Sequence, residues 1–248
     1  MKPALNFKIM GKYLILIILC VVTFSACDDD KLPDIRPVAT GEFVDERDGH
    51  TYGWIRIGDL DWMTSNLKYG TPYFEREYGG AFRDDEGEAQ IVESQFIDFD
   101  MQADFETNGN LYMWEELEEM VPEGWRLPTD EDWKELEMAL GMSQQEADKE
   151  GWRGDQVATL LRQGEDGLGM GLQLSGSAWQ SGSYGYDIIL TNIDECGYFW
   201  SATEKENNGL QVPTVYFRKI IATQSSVYRG TTPLNILMRV RCVRNTVN

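Results

Sequence analysis

The stretch Pro122-Glu123-Gly124-Trp125-Arg126-Leu127-Pro128-Thr129-Asp130-Glu131-Asp132-Trp133 decides how this chain is read. Pro122 and Gly124 interrupt regular structure, and Pro128 leads into a helix start. Thr129 is a good N-cap. Asp132 stands three residues on, where a capping box places an acceptor. Asp130, Glu131 and Asp132 set negative charge at the positive end of the helix dipole. Trp133, Leu136 and Leu140 recur at helical spacing, and Gly141 follows as a stop. The pattern predicts a helix over 130–140 with its Trp/Leu stripe in the core.

Upstream, Leu111, Trp114, Leu117 and Met120 form a second stripe and predict a helix over 111–120. Residues 156–163 fit a further short helix. Toward the N-terminus, Tyr52, Trp54, Ile55 and Ile57 follow a turn at 45–49. Gly58-Asp59 then separates them from Asp61-Trp62-Met63, which predicts a hairpin or meander. Residues 70–108 lack clear periodicity and read as a long irregular insertion, with a short strand over 95–99. From Gly164 onward strand signals dominate, at 172–174, 188–190, 198–200, 215–221, 226–228 and 238–243. Strands, two central helices and strands again give an α+β domain: antiparallel sheets, two main helices and a long loop region.

Composition narrows the function. The 248 residues hold 22 Lys+Arg, 42 Asp+Glu and one His, a net charge of −20. Apolar content of 42% is that of an ordinary globular protein. Binding nucleic acid needs clustered cations, so no nucleic-acid partner is expected. A single His excludes multi-His metal sites and makes His-based catalysis an unpromising reading. No metal set and no cofactor motif is legible.

The N-terminus reads as an address. Lys2, Lys8 and Lys12 precede an apolar run from Tyr13 to Val22, and Ser25-Ala26 lead to Cys27. This is a secretory signal over 1–26, too short for a permanent span. Its end resembles a bacterial lipobox, which implies that Cys27 is acylated and held by outer-membrane lipid. An ordinary signal peptide cut near Ala26, or a short N-terminal anchor, is the alternative. Removing residues 1–26 would take three lysines and leave −23. Residues 27–40 form an acidic tether. Asp28-Asp29-Asp30 resembles the export signal of Bacteroidetes-type surface lipoproteins, though a solvated spacer explains it equally well. The folded domain is expected over 41–248.

Cys196 and Cys242 are the thiols left in that domain. They form either one disulfide, as suits an exported protein, or two buried free thiols.

Several phrases occur together: Asp48-Gly49-His50-Thr51-Tyr52, Asp61-Trp62-Met63-Thr64-Ser65-Asn66-Leu67, Gly109-Asn110-Leu111-Tyr112-Met113-Trp114, the 122–133 stretch, Gly197-Tyr198-Phe199-Trp200-Ser201-Ala202-Thr203-Glu204 and Val240-Arg241-Cys242-Val243. In this order they resemble the Fibrobacter succinogenes major paralogous domain across about residues 41–244. The resemblance implies a C-type-lectin-like fold, shared with formylglycine-generating enzymes, in an exported surface protein. It implies no particular activity. Where the family usually carries Cys before Pro-x-Gly-Trp, this chain has Val121, so Cys242 lacks that partner and Cys196 would be a local substitute. The Ca²⁺ motifs of sugar-binding C-type lectins do not occur, nor does the reactive cysteine pair of the formylglycine enzymes.

One stretch points to binding. Trp179, Tyr184 and Tyr186 stand among Ser175-Gly176-Ser177 and Ser181-Gly182-Ser183, followed by Asp187, Asn192 and Asp194. Aromatics stack on sugar faces while amides and acids bond hydroxyls. The same mixture suits a protein-binding paratope. The expectation is a non-enzymatic, surface-exposed outer-membrane lipoprotein that binds a glycan or a cell-surface ligand. The alternative is a structural or accessory subunit of a surface assembly such as fimbriae. For the alternative, Tyr73, Phe74, Tyr78, Phe82, Phe96 and Phe99 would have to form an exposed patch.

Overall fold

The computed structural model describes residues 34–76, 99–180, 188–206 and 212–246. The chain divides into Met1–Pro33 and Asp34–Asn248, and the described residues all fall in the second unit. Cys27, the expected lipidation site, lies outside them.

The entry meander is present. Strands β1 (Ala39–Val44), β2 (Thr51–Ile57) and β3 (Leu60–Met63) pair antiparallel in sequence order. The 70–108 segment is less irregular than its sequence implies, because helix α1 (Met101–Asn108) occupies its end. Asp100 caps it by accepting from the Ala103 N–H at 2.9 Å. Only Asp104 and Phe105 of α1 are buried, so there is no stripe to detect. The expected strand over 95–99 lies largely outside the described residues.

The stripe over 111–120 forms a helix only in its second half. Tyr112 pairs with Met238 in an isolated bridge and holds Leu111–Tyr112 extended. A 3₁₀ turn, Trp114–Glu116, then runs into α2 (Leu117–Met120). Helix α3 (Asp130–Ala139) follows the capping logic: the Thr129 hydroxyl accepts from the Asp132 N–H at 3.1 Å, and the Asp132 carboxylate accepts from the Thr129 N–H at 2.6 Å. Helix α4 (Gln144–Ala147) and strand β4 (Gly151–Arg153) come next, then α5 (Val157–Arg162).

The remaining strands are β5 (Ser175–Gln180), β6 (Ile188–Ile193), β7 (Cys196–Lys205), β8 (Thr214–Ile221), β9 (Val227–Pro233), β10 (Ile236–Leu237) and β11 (Val243–Asn245). Residues 172–174, read as a strand, are instead an irregular segment with Leu172 buried and Gln173 and Leu174 half-buried. The Leu172 N–H bonds back to the Leu161 carbonyl of α5 and joins no ladder. Its alternation of apolar residues is not matched by pairing.

Two open sheets result, and neither closes into a barrel. One has the order β1-β2-β3-β11; the other has β10-β5-β7-β8-β9-β4, with β6 on β5. Between these strands pairing is antiparallel except for β5 and β7, which meet at Gly176 and Gly197; an isolated bridge of Phe199 to Arg239 is also parallel. A Cβ on Gly197 would stand 2.2 Å from the Gln173 carbonyl oxygen, so the close approach needs glycine there. The architecture is mixed α+β, mostly sheet with short helices.

Helix α3 bridges the sheets. Its Trp133 ring lies 4.9 Å from Trp62 of β3 and 6.1 Å from Phe199 of β7, and its indole N–H donates to the Trp200 carbonyl. Beside it runs a buried ionic network. Arg218 bonds Asp130 and Glu137, each at 2.7 Å, Arg229 bonds Asp130 at 2.7 Å, and Arg153 bonds Glu137 at 2.5 Å.

Of the two readings of the cysteines, the free-thiol one describes this structure. Cys196 opens β7 opposite Ile221, whereas Cys242 packs among Tyr52, Met63 and Trp125. Both are buried, unbridged and committed to different neighbours. Among the described residues, no helix is long and apolar enough to cross a membrane.

Candidate functional site

Alternation along β7, β8 and β9 sends successive side chains to opposite faces of the large sheet. Phe199, Arg218 and Arg229 belong to the face under α3. Tyr198, Phe217, Lys219 and Tyr228 belong to the other. Register aligns them: Tyr198 is the direct partner of Lys219, Lys219 of Tyr228, and Tyr228 of Trp152 on β4. The Lys219 ammonium lies 5.5, 5.8 and 5.7 Å from the ring centres of Tyr198, Tyr228 and Trp152. Trp152 meets Tyr228 edge-on at 5.3 Å, and Phe217 lies 5.9 Å from Tyr228 and 6.3 Å from Tyr198. Tyr228 reclines over Gly230: a Cβ there would fall 2.5 Å from its ring.

At the β5 end this face deepens into a concavity of about 190 Å³, lined by Ser177, Trp179, Thr191, Asn192, Tyr198, Phe217, Thr232, Ile236 and Met238. Trp179 is 42% exposed although it stands within a strand. Its neighbour Ala178 is fully buried with Leu190 and Leu237, so β5 alternates between the core and this pocket. Across β5 and β6 the hydroxyls of Ser177 and Thr191 lie 3.3 Å apart. The Asn192 amide donates to the Tyr198 phenol oxygen at 3.1 Å. Burial, with the Cys196 thiol alongside, pushes the Tyr198 phenol up, so it stays neutral and acts through hydrogen bonds. The volume lies below the usual ~300 Å³ of enclosed ligand sites, which suits a shallow seat for one ring.

Of the residues singled out from sequence, Trp179 and Asn192 meet in this pocket. Asp194 does not line it. Asn192 and Asp194 both take left-handed backbone, with φ of 56° and 62°, and shape the β6–β7 turn. Tyr184, Tyr186 and Asp187 lie outside the described residues. The sequence reading missed Tyr198, Phe217, Lys219, Tyr228 and Trp152. Their alternation was visible, but the register that lines them up was not.

A second concavity of about 340 Å³ lies between α2 and the 125–127 segment. Trp114, Leu117, Val121, Trp125 and Leu127 line it, with Glu115 and Glu118 also in its wall. Two of its polar groups are engaged elsewhere: the Trp114 indole donates to the Ser201 carbonyl, and Arg126 is paired with Asp132. Of the aromatics proposed as an exposed docking patch, Tyr73 is buried, and Phe74 and Phe99 pack beside it; Tyr78, Phe82 and Phe96 lie outside the described residues. No group of three or more His, Cys, Asp or Glu assembles a metal site among the described residues.

Comparison with known proteins places one family on this chain: the Fibrobacter succinogenes major domain matches residues 55–244. Neither a curated protein nor a solved structure matches.

Proposed function

We propose, from the premise that this chain belongs to the Fibrobacter succinogenes major domain family, that it is a non-enzymatic glycan-binding protein of the bacterial surface. The carrying observation is the aromatic face of the large sheet, where exposed Trp179 borders a shallow pocket with Tyr198, Asn192 and the Ser177 and Thr191 hydroxyls. Aromatic planes cover the apolar faces of a sugar ring, and amide and hydroxyl groups at the rim read its hydroxyls. The α+β architecture supports a C-type-lectin-like fold. Acylation at Cys27 anchors the protein in the outer membrane, with the acidic tether carrying the domain outward. Reaction chemistry finds little support: burial pushes the Cys242 thiol well up, keeping it protonated and unreactive.

A second reading, docking of a protein partner in a surface assembly, is favoured by the larger apolar cleft at Trp114 and Trp125. A glycan screen of the purified full chain, in calcium and in chelator, separates the two. The expected result is calcium-independent binding that falls at least tenfold in Trp179→Ala while far-UV circular dichroism stays unchanged. Absence of binding by the folded wild-type chain would overturn the glycan reading in favour of the cleft.

A further inference from the structure

We infer that the sugar taken by this face carries a single negative charge, and that Lys219 is the group that reads it. The inference rests on the glycan reading above and names the ligand class for the same site.

Most cations elsewhere in the domain are engaged by carboxylates, whereas among the described residues Lys149, Arg162 and Arg241 are not, Arg162 and Arg241 bonding backbone carbonyls instead. Arg47 is held by Asp45, Arg56 and Arg244 by Asp61, and Lys205 by Glu150. Lys219 differs. Among the described residues no carboxylate reaches it within ion-pair distance, and its ammonium is set amid the rings of Tyr198, Tyr228 and Trp152. Ring faces attract an ammonium but supply no counter-ion. In a chain of net charge −20, a cation on the binding face left without an acid is a local exception.

That exception fits a sugar with an anionic substituent. The ring of such a sugar lies on the aromatic row, and its carboxylate or sulfate meets the ammonium in a charge-assisted hydrogen bond. Tyr198 belongs to both the row and the pocket, so a neighbouring sugar can enter at Trp179. The strongly negative field of the whole chain disfavours dense polyanions. The ligand is therefore a largely neutral glycan with isolated acidic residues, either uronic or sulfated.

The test prints neutral, uronate-bearing, sulfated and fully polyanionic oligosaccharides on one array. It is probed with the full chain, Lys219→Gln, Lys219→Arg and Trp179→Ala. Expected are hits among sparsely charged uronate or sulfate members, with the two arms showing which. Lys219→Gln weakens them about tenfold, as loss of a charged hydrogen bond should. Lys219→Arg retains most binding, and Trp179→Ala loses it. Hits on neutral glycans only, lost in Trp179→Ala but untouched by Lys219→Gln, would overturn this inference and leave the glycan reading standing. Anionic hits indifferent to Lys219→Gln would overturn the assignment to Lys219. No hit on any glycan would remove both.

Discussion

The two faces of the large sheet are built from the same strands and treat charge in opposite ways. On the face under α3, Arg153, Arg218 and Arg229 are each held by a buried carboxylate, Asp130 or Glu137. One residue along each strand, on the other face, Lys219 has aromatic rings and no acid. A buried cation must be paired or hydrogen-bonded where it stands, as Arg241 is by Asn66 and backbone carbonyls, since desolvation is otherwise too costly. A cation at the surface keeps its hydration and can leave its counter-charge to a ligand. The inner face therefore fixes geometry, and the outer face leaves Lys219 without a fixed counter-charge.

The sharpest way to break this contrast is to remove an inner carboxylate. Glu137 has no exposed surface and serves both Arg153 and Arg218. Glu137→Ala should cost about 3–5 kcal/mol of stability, read from urea unfolding, because it strands buried cations. A loss below about 1 kcal/mol would mean that water reaches the network.

Acid should act next, and on the same face. Burial alone would raise the Asp130 carboxyl, but hydrogen bonds from Arg229 and Arg218 overcome it and hold it below the ordinary value. Asp132, desolvated but bonded by Arg126 and Thr129, is likewise lowered. A lowered folded-state pKa contributes stability above the unfolded value and loses it as pH falls through the folded one. The urea midpoint should therefore hold from neutrality to about pH 4 and drop below it. A midpoint unchanged down to pH 2 would contradict the network's role.

The smallest effect on stability belongs to the outer face. Gly230→Ala forces the Tyr228 ring aside and should cost about 1 kcal/mol, since only a side chain has to move. Its signature is a changed near-UV circular dichroism spectrum, accompanied on the proposed glycan reading by weakened binding. An unaltered spectrum would show that the ring was never seated over Gly230.

Legibility followed the range of the interactions. The α3 cap was readable because Thr129 and Asp132 bond each other across three residues. The β2–β3 turn was readable because Gly58-Asp59 joins strands already adjacent in sequence. Helix α1 was not, because it buries too little to leave a stripe. Nor was the extended Leu111–Tyr112 segment, which is decided by Met238 far along the chain. Asp130 read as a dipole-facing acid; that it also anchors Arg218 and Arg229, 88 and 99 residues away, appears only in three dimensions.

At the candidate site the same division holds. Sequence alone determined that Trp179 and Asn192 belong to a polar, aromatic stretch, and that the chain carries the phrases of its family. It also determined the acidity on which the expectation of no nucleic-acid partner rests. Only the tertiary structure decided that Trp152, Tyr228, Lys219 and Tyr198 stand in one row, and that Cys196 and Cys242 pack apart. The reason is physical. Caps and turns are closed by neighbours a few residues away, whereas strand register is set by the burial of an entire face.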